Sequence, residues 1–202
     1  MIKIFVDFET TGLCSYQSEI IEGYFLREDG ESFHLQSKVN FWSAEAEAIH
    51  GIKKDEMLSF KNKRPAWSEL IKWLPNTFEF LFYAKSGGSQ LYGAIPHKGL
   101  KHEVYFDKSL FVTHVMEYFD VYHYCKIPFK IRWTSVYDIA VEYEKLGYFH
   151  AEKKKGSKRK NFSQGLVYKA LFNKSYHTHR AKSDTIALKE IYDELILREK
   201  EK

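Results

Sequence analysis

Two carboxylates stand close together in an otherwise apolar segment near the N-terminus, which has the sequence KIFVDFETTGL. Asp7 and Glu9 are two positions apart, so on a β-strand their side chains would share a face, about 7 Å apart at ~3.3 Å per residue. Like charges on a partly buried face raise one pKa unless a cation lies between them. Hard oxygen ligands of this kind suit Mg²⁺ or Mn²⁺. Alternatively, the pair stands at the exposed end of the strand and caps the turn that follows.

Two aspartates further along fall on the apolar sides of predicted helices. Asp184 precedes Leu188 by four residues, which places both on the same face of the last helix. Asp107 lies beside Leu110 at the start of an earlier helix. A carboxylate on the core side of a helix needs a partner. The alternative for both is a first-turn carboxylate that the helix dipole stabilises.

A histidine precedes the last helix. His179 lies five residues before Asp184, a spacing that does not suit one helix face, where three or four residues are needed. We therefore expect His179 in the loop that leads into the helix. That position gives it access to solvent and suits a general base. His177 is close by and could be mistaken for it.

The elements that must position these residues begin with three strands and continue as strands and helices in alternation. The predicted strands are 2–8, the two arms of a hairpin that turns at Asp29-Gly30, 78–84 and the start of KIRWTSVYDI. The predicted helices are a short one from the Ser43 N-cap to Gly51, one between Pro65 and Pro75, 105–124, one ending near Gly147, 163–172 and 181–199. This order predicts a mixed α/β sheet. Residues 85–104 are glycine-rich and predict a long loop.

Together these segments resemble the DEDDh 3′→5′ exonucleases, a family that includes polymerase proofreading subunits, RNase T and oligoribonuclease. FVDFETTGL resembles the first family motif, and HTHRAKSD (177–184) resembles the third, HxAxxD. HEVYFDKSLF (102–111) is similar to the second motif, HNxxFDxxxL. AIHGI (48–52) and VYDIA (136–140) resemble segments that lie between the motifs. The resemblance covers nearly the whole chain.

The resemblance implies an RNase H-like fold, a five-stranded mixed sheet flanked by helices, in one exonuclease domain over residues 1–202. It implies that two divalent metal ions, Mg²⁺ or Mn²⁺, are held by the four carboxylates Asp7, Glu9, Asp107 and Asp184. It also implies that His179 is the general base. The nucleic-acid 3′ end is expected to bind at the residues Thr10, Thr11, Gly12, Leu13 and His50.

The second motif departs from the family pattern, because Glu103 stands where the family has Asn. Asp120 is an alternative to Asp107 as its carboxylate. We favour Asp107 because 31 residues then separate it from Asp138, which leaves room for a full helix and a return loop.

Charge, cysteine spacing and the length of apolar runs limit the kinds of protein that the sequence can encode. The formal net charge is +4, and a basic run could follow a phosphate backbone or be a solvated loop. This run comprises Lys153, Lys154, Lys155, Lys158, Arg159 and Lys160.

The two cysteines form no CxxC, which excludes a zinc ribbon. With no apolar run near the ~18 residues of a membrane span and no signal peptide, we expect a cytoplasmic protein.

The sequence thus predicts a metal-dependent 3′→5′ exonuclease that releases nucleoside 5′-monophosphates from nucleic-acid 3′ ends, on single-stranded DNA in the first instance. A 3′→5′ exoribonuclease that trims or degrades small RNA is the alternative. A catalytically impaired nucleic-acid-binding module is a third reading, since the second motif is altered. No polymerase-binding tail is evident, and the sequence leaves the oligomeric state open.

Overall fold

The computed structural model describes residues 1–12, 18–84, 106–119, 127–153 and 160–201, without the side chains of 106–109. The strands are β1 (Ile2–Thr10), β2 (Ile20–Arg27), β3 (Ser32–Gln36), β4 (Thr77–Phe82) and β5 (Lys130–Ser135). The helices are α1 (Ala44–His50), α2 (Lys54–Ser59), α3 (Lys63–Trp73), α4 (Phe106–Tyr118), α5 (Val136–Lys145), α6 (Gln164–Phe172) and α7 (Ala181–Lys200).

The strands form one five-stranded sheet in the order β3-β2-β1-β4-β5. β1 pairs antiparallel with β2, and β2 pairs antiparallel with β3. β4 then pairs parallel with β1, and β5 pairs parallel with β4. The predicted mixed sheet, three antiparallel strands followed by parallel ones, is therefore confirmed. The central strand of this sheet is β1, which carries Asp7 and Glu9.

Alternation along β1 divides its side chains between two apolar clusters. Ile4, Val6 and Phe8 pack into a cluster with α3 and α4, where Phe111 is fully buried. Phe5 points to the opposite face and joins a cluster with α5, α6 and α7. Because the side-chain period of a strand is two residues, Asp7 and Glu9 follow Phe5 on the α7 face.

Local signals in the sequence fix both ends of α1. The Ser43 hydroxyl accepts a hydrogen bond from the Ala46 N–H at 3.2 Å, which caps α1 as the sequence predicts. Gly51 ends the same helix with a left-handed φ of 72°, which glycine adopts without a steric penalty.

Three helices differ from the sequence prediction, and one of them, α4, ends at Tyr118 where the pattern predicts a helix as far as residue 124. α3 begins at Lys63, two residues before Pro65. A proline fits there because the first four N–H groups of a helix have no intrahelical partner. α2 was not predicted at all. Its six residues bury only Met57, which is too little to produce a helical period.

The glycine-rich stretch predicted as a loop at residues 85–104 lies outside the described residues. Within the part of the chain that the structure describes, no helix combines the length and the apolar character that a membrane crossing requires.

Candidate active site

The end of β1 presents two carboxylates on the face that α7 covers. Asp7 stands opposite Tyr24 of β2, and Glu9 stands opposite Glu22. Glu9 is only 9% exposed. A carboxylate buried to this degree keeps its charge only where hydrogen bonds or cations compensate for lost solvation.

α7 supplies the third carboxylate. Its buried stripe of Leu188, Ile191 and Leu195 packs onto the sheet, as the helical spacing predicts, and this places Asp184 in the first turn beside β1. One oxygen from each of Asp7, Glu9 and Asp184 lies within 4.8 Å of the others. Residues more than 170 positions apart in sequence thus meet at one point because helix and strand share the same apolar interface.

The Asp184 side chain is held from two sides. The Tyr176 hydroxyl donates a hydrogen bond to Oδ1 at 2.9 Å, and the Arg180 N–H donates to Oδ2 at 3.1 Å. Burial raises the pKa of Asp184, and these hydrogen bonds together with the nearby His179 oppose that rise. The carboxylate is therefore oriented by the protein itself.

This arrangement fits a divalent cation. All three donor groups are carboxylate oxygens, the ligand type that Mg²⁺ and Mn²⁺ prefer. Three carboxylates this close repel one another unless a positive charge lies between them. Asp7 and Glu9 also have further interactions with their surroundings, so the cluster is embedded in the protein.

His179 lies in the loop between α6 and α7, where the spacing to Asp184 predicts it. Its side chain is exposed, and its backbone adopts a left-handed φ of 65°. His179 lines a cleft of about 620 Å³ together with Asp7, Glu9 and Asp184. An exposed imidazole and a carboxylate cluster therefore line one cavity.

Comparison with known proteins supports this architecture. No protein-family model matches the sequence, and no curated protein matches it either. Among solved structures, the E. coli exonuclease I complex with single-stranded DNA matches with a TM-score of 0.69 and 16% identity, over 98% of this chain and 40% of that one. E. coli exonuclease I with a dA16 oligonucleotide gives 0.70 and 16%, over 96% and 40%. Exonuclease I from Methylocaldum szegediense gives 0.69 and 16%, over 98% and 40%.

The fold of this chain is similar to that of the matched part of exonuclease I. The RNase H-like sheet that the sequence resemblance implies is thereby confirmed. The chain spans 40% of the length of these exonuclease I structures.

Sequence reasoning missed a buried acid beside the cluster. Glu22 of β2 is 1% exposed and is held by Arg180, whose Nη2 lies 3.0 Å from Glu22 Oε1. Burial disfavours its charge, yet hydrogen bonds from His34 and Arg180 outweigh this and hold the Glu22 pKa at about 2. The only signal in the sequence was the acid Glu22 inside the apolar run IIEGYF. Tyr176 gave no signal at all.

The last residue of β1 and the turn after it contain three residues predicted to bind the 3′ end. The Thr10 hydroxyl donates to the Gly12 carbonyl at 2.7 Å, and the Thr11 hydroxyl accepts from the Glu19 N–H at 2.9 Å. Thr11 is 2% exposed, so its side chain shapes the turn from inside. Leu13 lies outside the described residues. A role for this turn in binding remains a prediction.

His50 ends α1 and is buried. Its Nδ1 accepts a hydrogen bond from the Ile52 N–H at 3.0 Å, while Nε2 has no hydrogen-bond partner among the described residues. Burial and the positive charge of Arg180 lower the His50 pKa. A contact between His50 and the nucleotide also stays a prediction.

For Asp107, the predicted carboxylate of the second motif, the structure describes only the backbone position. Asp107 stands in the first turn of α4, and its side chain lies outside what the structure describes. Asp120 lies outside the described residues altogether. The choice between the two stays a prediction.

The basic run is described only at its ends. Lys153 and Lys160 form an isolated antiparallel bridge, and Lys160 makes an ion pair with the buried Glu144. The four residues Lys154, Lys155, Lys158 and Arg159 lie outside the described residues. Phosphate binding by this run is untested, and at Lys160 the charge already serves a protein contact.

Proposed function

We propose that this chain is a metal-dependent 3′→5′ exonuclease that hydrolyses single-stranded DNA to nucleoside 5′-monophosphates. The observation that carries the proposal is the convergence of Asp7, Glu9 and Asp184 within 4.8 Å, in a cleft that His179 also lines. The exonuclease I fold supports it. Solved exonuclease I structures include complexes with single-stranded DNA and with a dA16 oligonucleotide, and this favours DNA as the substrate class.

The metal ligands would be the carboxylates at the end of β1 and the start of α7. Asp7, Glu9 and Asp184 would hold one Mg²⁺ or Mn²⁺ ion, and Asp7 with Asp107 would hold a second. Bound ions supply Lewis-acid activation of water and neutralise the charge on the phosphate. The Tyr176 hydroxyl and the Arg180 N–H would keep Asp184 oriented for this task, as outer-shell hydrogen bonds do at metal sites.

His179 would act as the general base. An imidazole nitrogen of His179 takes one proton from a water molecule, the water oxygen bonds to phosphorus, and the bond between phosphorus and the 3′ oxygen breaks. The departing 3′ oxygen takes a proton from solvent and becomes the 3′ hydroxyl of the shortened strand, and the last nucleotide leaves as a 5′-monophosphate. The exposed position of His179 lets it return the proton to solvent.

The terminal nucleotide would bind at the turn after β1. Backbone amides of residues 10–12 would contact it, Leu13 would pack against the last base, and His50 would help to shape the pocket. Hydrogen bonds of Thr10 and Thr11 within the turn support this by fixing its backbone.

A cleavage assay tests the proposal. End-labelled single- and double-stranded DNA and RNA are incubated with Mg²⁺ or Mn²⁺, and the product ladders report polarity, strand preference and sugar. We expect 3′→5′ ladders on single-stranded DNA that EDTA and Asp7→Asn both abolish. Asp193→Asn, which changes an exposed carboxylate of α7, is the matched control and should leave the rate unchanged.

The same assay separates the rival functions. Ladders on RNA alone would indicate an exoribonuclease. Binding of oligonucleotides without any metal-dependent cleavage would indicate a binding module. Cleavage that persists in Asp7→Asn would contradict the assignment of the site.

A further inference from the structure

Glu22 is the most deeply buried carboxylate beside the proposed site. It stands directly opposite Glu9 in the β1–β2 register, so the two acids lie on the same face of neighbouring strands. Yet Glu22 is not part of the carboxylate cluster. Among the described residues, the carboxylates close enough to share one ion are Asp7, Glu9 and Asp184. Glu22 is therefore directed to a different partner.

That partner is Arg180, bound through two of its nitrogens. Nε lies 3.2 Å from Glu22 Oε2, and Nη2 lies 3.0 Å from Oε1. The Ala181 N–H, at the first position of α7, donates to the same Oε2 at 3.3 Å. His34 Nε2 lies 2.9 Å from Oε1, and the Gln36 side-chain N–H donates to the same oxygen at 3.4 Å. Charged hydrogen bonds with two-point geometry are the strongest and most directional that a protein forms.

Arg180 links this buried acid to both parts of the site. Its own N–H donates to Asp184 Oδ2, so one residue is tied to the sheet through its side chain and to the metal-ligand candidate through its backbone. The residue before it is His179, with a left-handed φ of 65°. A residue other than glycine holds that conformation only where its surroundings enforce it.

The geometry points to a positioning role for Glu22. We propose that the Glu22–Arg180 ion pair fixes the start of α7 on the sheet and thereby sets where the His179 imidazole stands over the carboxylate cluster. This inference rests on the proposed function, since it assigns Glu22 an effect on the rate through the proposed base. Glu22 itself touches neither substrate nor metal in this account.

Kinetics of Glu22→Gln test the role. Removing the charge should lower kcat about 10- to 100-fold, the usual effect of losing an outer-shell partner, while KM and the Mn²⁺ concentration for half-maximal rate change less than about twofold. Glu56→Gln is the matched control, because Glu56 is the second acid bound to Arg180, at 3.2 Å, on the exposed α2. It should keep the wild-type rate. An unchanged kcat in Glu22→Gln would overturn the proposal.

A double mutant shows whether Glu22 acts through His179. In a His179→Ala background, Glu22→Gln should cause no further loss of kcat, because residues that act through one another are not additive. A full additional loss would overturn the proposal. If Glu22→Gln does not fold, Arg180→Lys serves instead, since it keeps the positive charge and removes the two-point geometry.

A crystal structure of Glu22→Gln tests the inference without any activity. The expected result is that His179 leaves its left-handed conformation or that its ring moves away from the cluster. An unchanged backbone at His179 and Arg180 together with an unchanged position of the His179 ring would overturn the proposal. Absence of cleavage by the wild-type protein would refute the proposed function, and this crystallographic outcome would still decide whether the ion pair sets the loop.

Discussion

Asp184 combines burial with a fixed orientation. Its two oxygens each accept a hydrogen bond, from Tyr176 and from the Arg180 backbone, while the group faces Asp7 and Glu9. Such a site is electrostatically unfavourable when it contains only acids and becomes favourable once a cation binds. Metal binding should therefore be visible as a gain in stability, whatever the substrate.

We expect Mn²⁺ to raise the melting temperature of the wild-type protein and not that of Asp184→Asn. A ligand at 100 times its dissociation constant stabilises a folded protein by about 2.7 kcal/mol, and the variant lacks one of the three ligands. Thermal melts with and without Mn²⁺ measure this. Asp193→Asn, on the exposed side of α7, should keep the full shift. An equal shift in Asp184→Asn would place the metal elsewhere.

At the scale of elements, Ser135 joins a helix cap to the end of a strand. Its hydroxyl accepts a hydrogen bond from the Asp138 N–H at 3.1 Å, at the start of α5, and donates to the Ala84 carbonyl at 2.5 Å, just past β4. Ser135 is 6% exposed, so water replaces neither bond readily. One side chain thus couples the β5–α5 junction to the neighbouring strand.

Ser135→Ala should lower the free energy of unfolding by about 1–2 kcal/mol, the usual cost of losing a helix cap. Urea unfolding followed by circular dichroism measures the change. Ser163→Ala is the control, because Ser163 precedes α6 and makes no side-chain cap hydrogen bond. That variant should lie within about 0.5 kcal/mol of wild type. Equal losses in both would show that the cap contributes little.

The contact between α3 and α4 contains a buried neutral histidine. His114 of α4 stacks on Trp67 of α3 with 5.1 Å between ring centres. Its Nδ1–H donates to the Leu110 carbonyl at 2.9 Å, and Nε2 accepts from the Ile20 N–H at 3.5 Å. Burial, reinforced by the charge of Lys63, lowers the His114 pKa from 6.5 to about 4.

This histidine should make stability fall as pH falls from about 6.5 to about 4. In that window the unfolded chain binds a proton at His114 and the folded chain does not, which costs on the order of 3 kcal/mol in full. Above pH 6.5 the contribution is complete. His114→Gln should flatten the stability profile in this window, measured by urea unfolding at several pH values. His150→Gln, at an exposed position, should leave the slope as in wild type.

At the scale of the whole molecule, one sheet separates two cores. Phe80 of β4 is fully buried and packs against Phe25, Phe111 and Trp133 on the side of α3 and α4. The neighbouring Leu81 points into the other core, beneath α5 to α7. Because β1 and β4 contribute side chains to both cores, loss of the sheet would disrupt both cores together.

Phe80→Ala should therefore lower the free energy of unfolding by about 3–5 kcal/mol. Both cores should unfold in a single transition. Tryptophan fluorescence, which reports on the core beside α3 and α4, and far-ultraviolet circular dichroism should give coincident urea transitions. Phe41→Ala, at a 62% exposed side chain, should change stability little. Separate transitions for the two probes would show that the cores unfold independently.

Much of the fold followed from local patterns in the sequence. The alternation in KIFVDFE put Phe5, Asp7 and Glu9 on one face, and the four-residue step to Leu188 put Asp184 on the packed face of α7. Such periods depend only on backbone geometry, so they can be read without knowing what an element packs against. The exception was local too, because α2 was too short to produce a helical period. The role of Asp107 stays a prediction.

The sequence by itself determined the order of the described strands and helices apart from α2, and the identity of the three acids that meet. Only the tertiary structure decided which partners surround them. Glu22 and Arg180 are separated by 158 positions, and no spacing rule relates them. Tyr176 contacts Asp184 because the loop before α7 folds back toward that helix, and no helical repeat relates the two residues. Packing of α7 onto β1 and β2 creates these contacts, and packing depends on the whole chain at once.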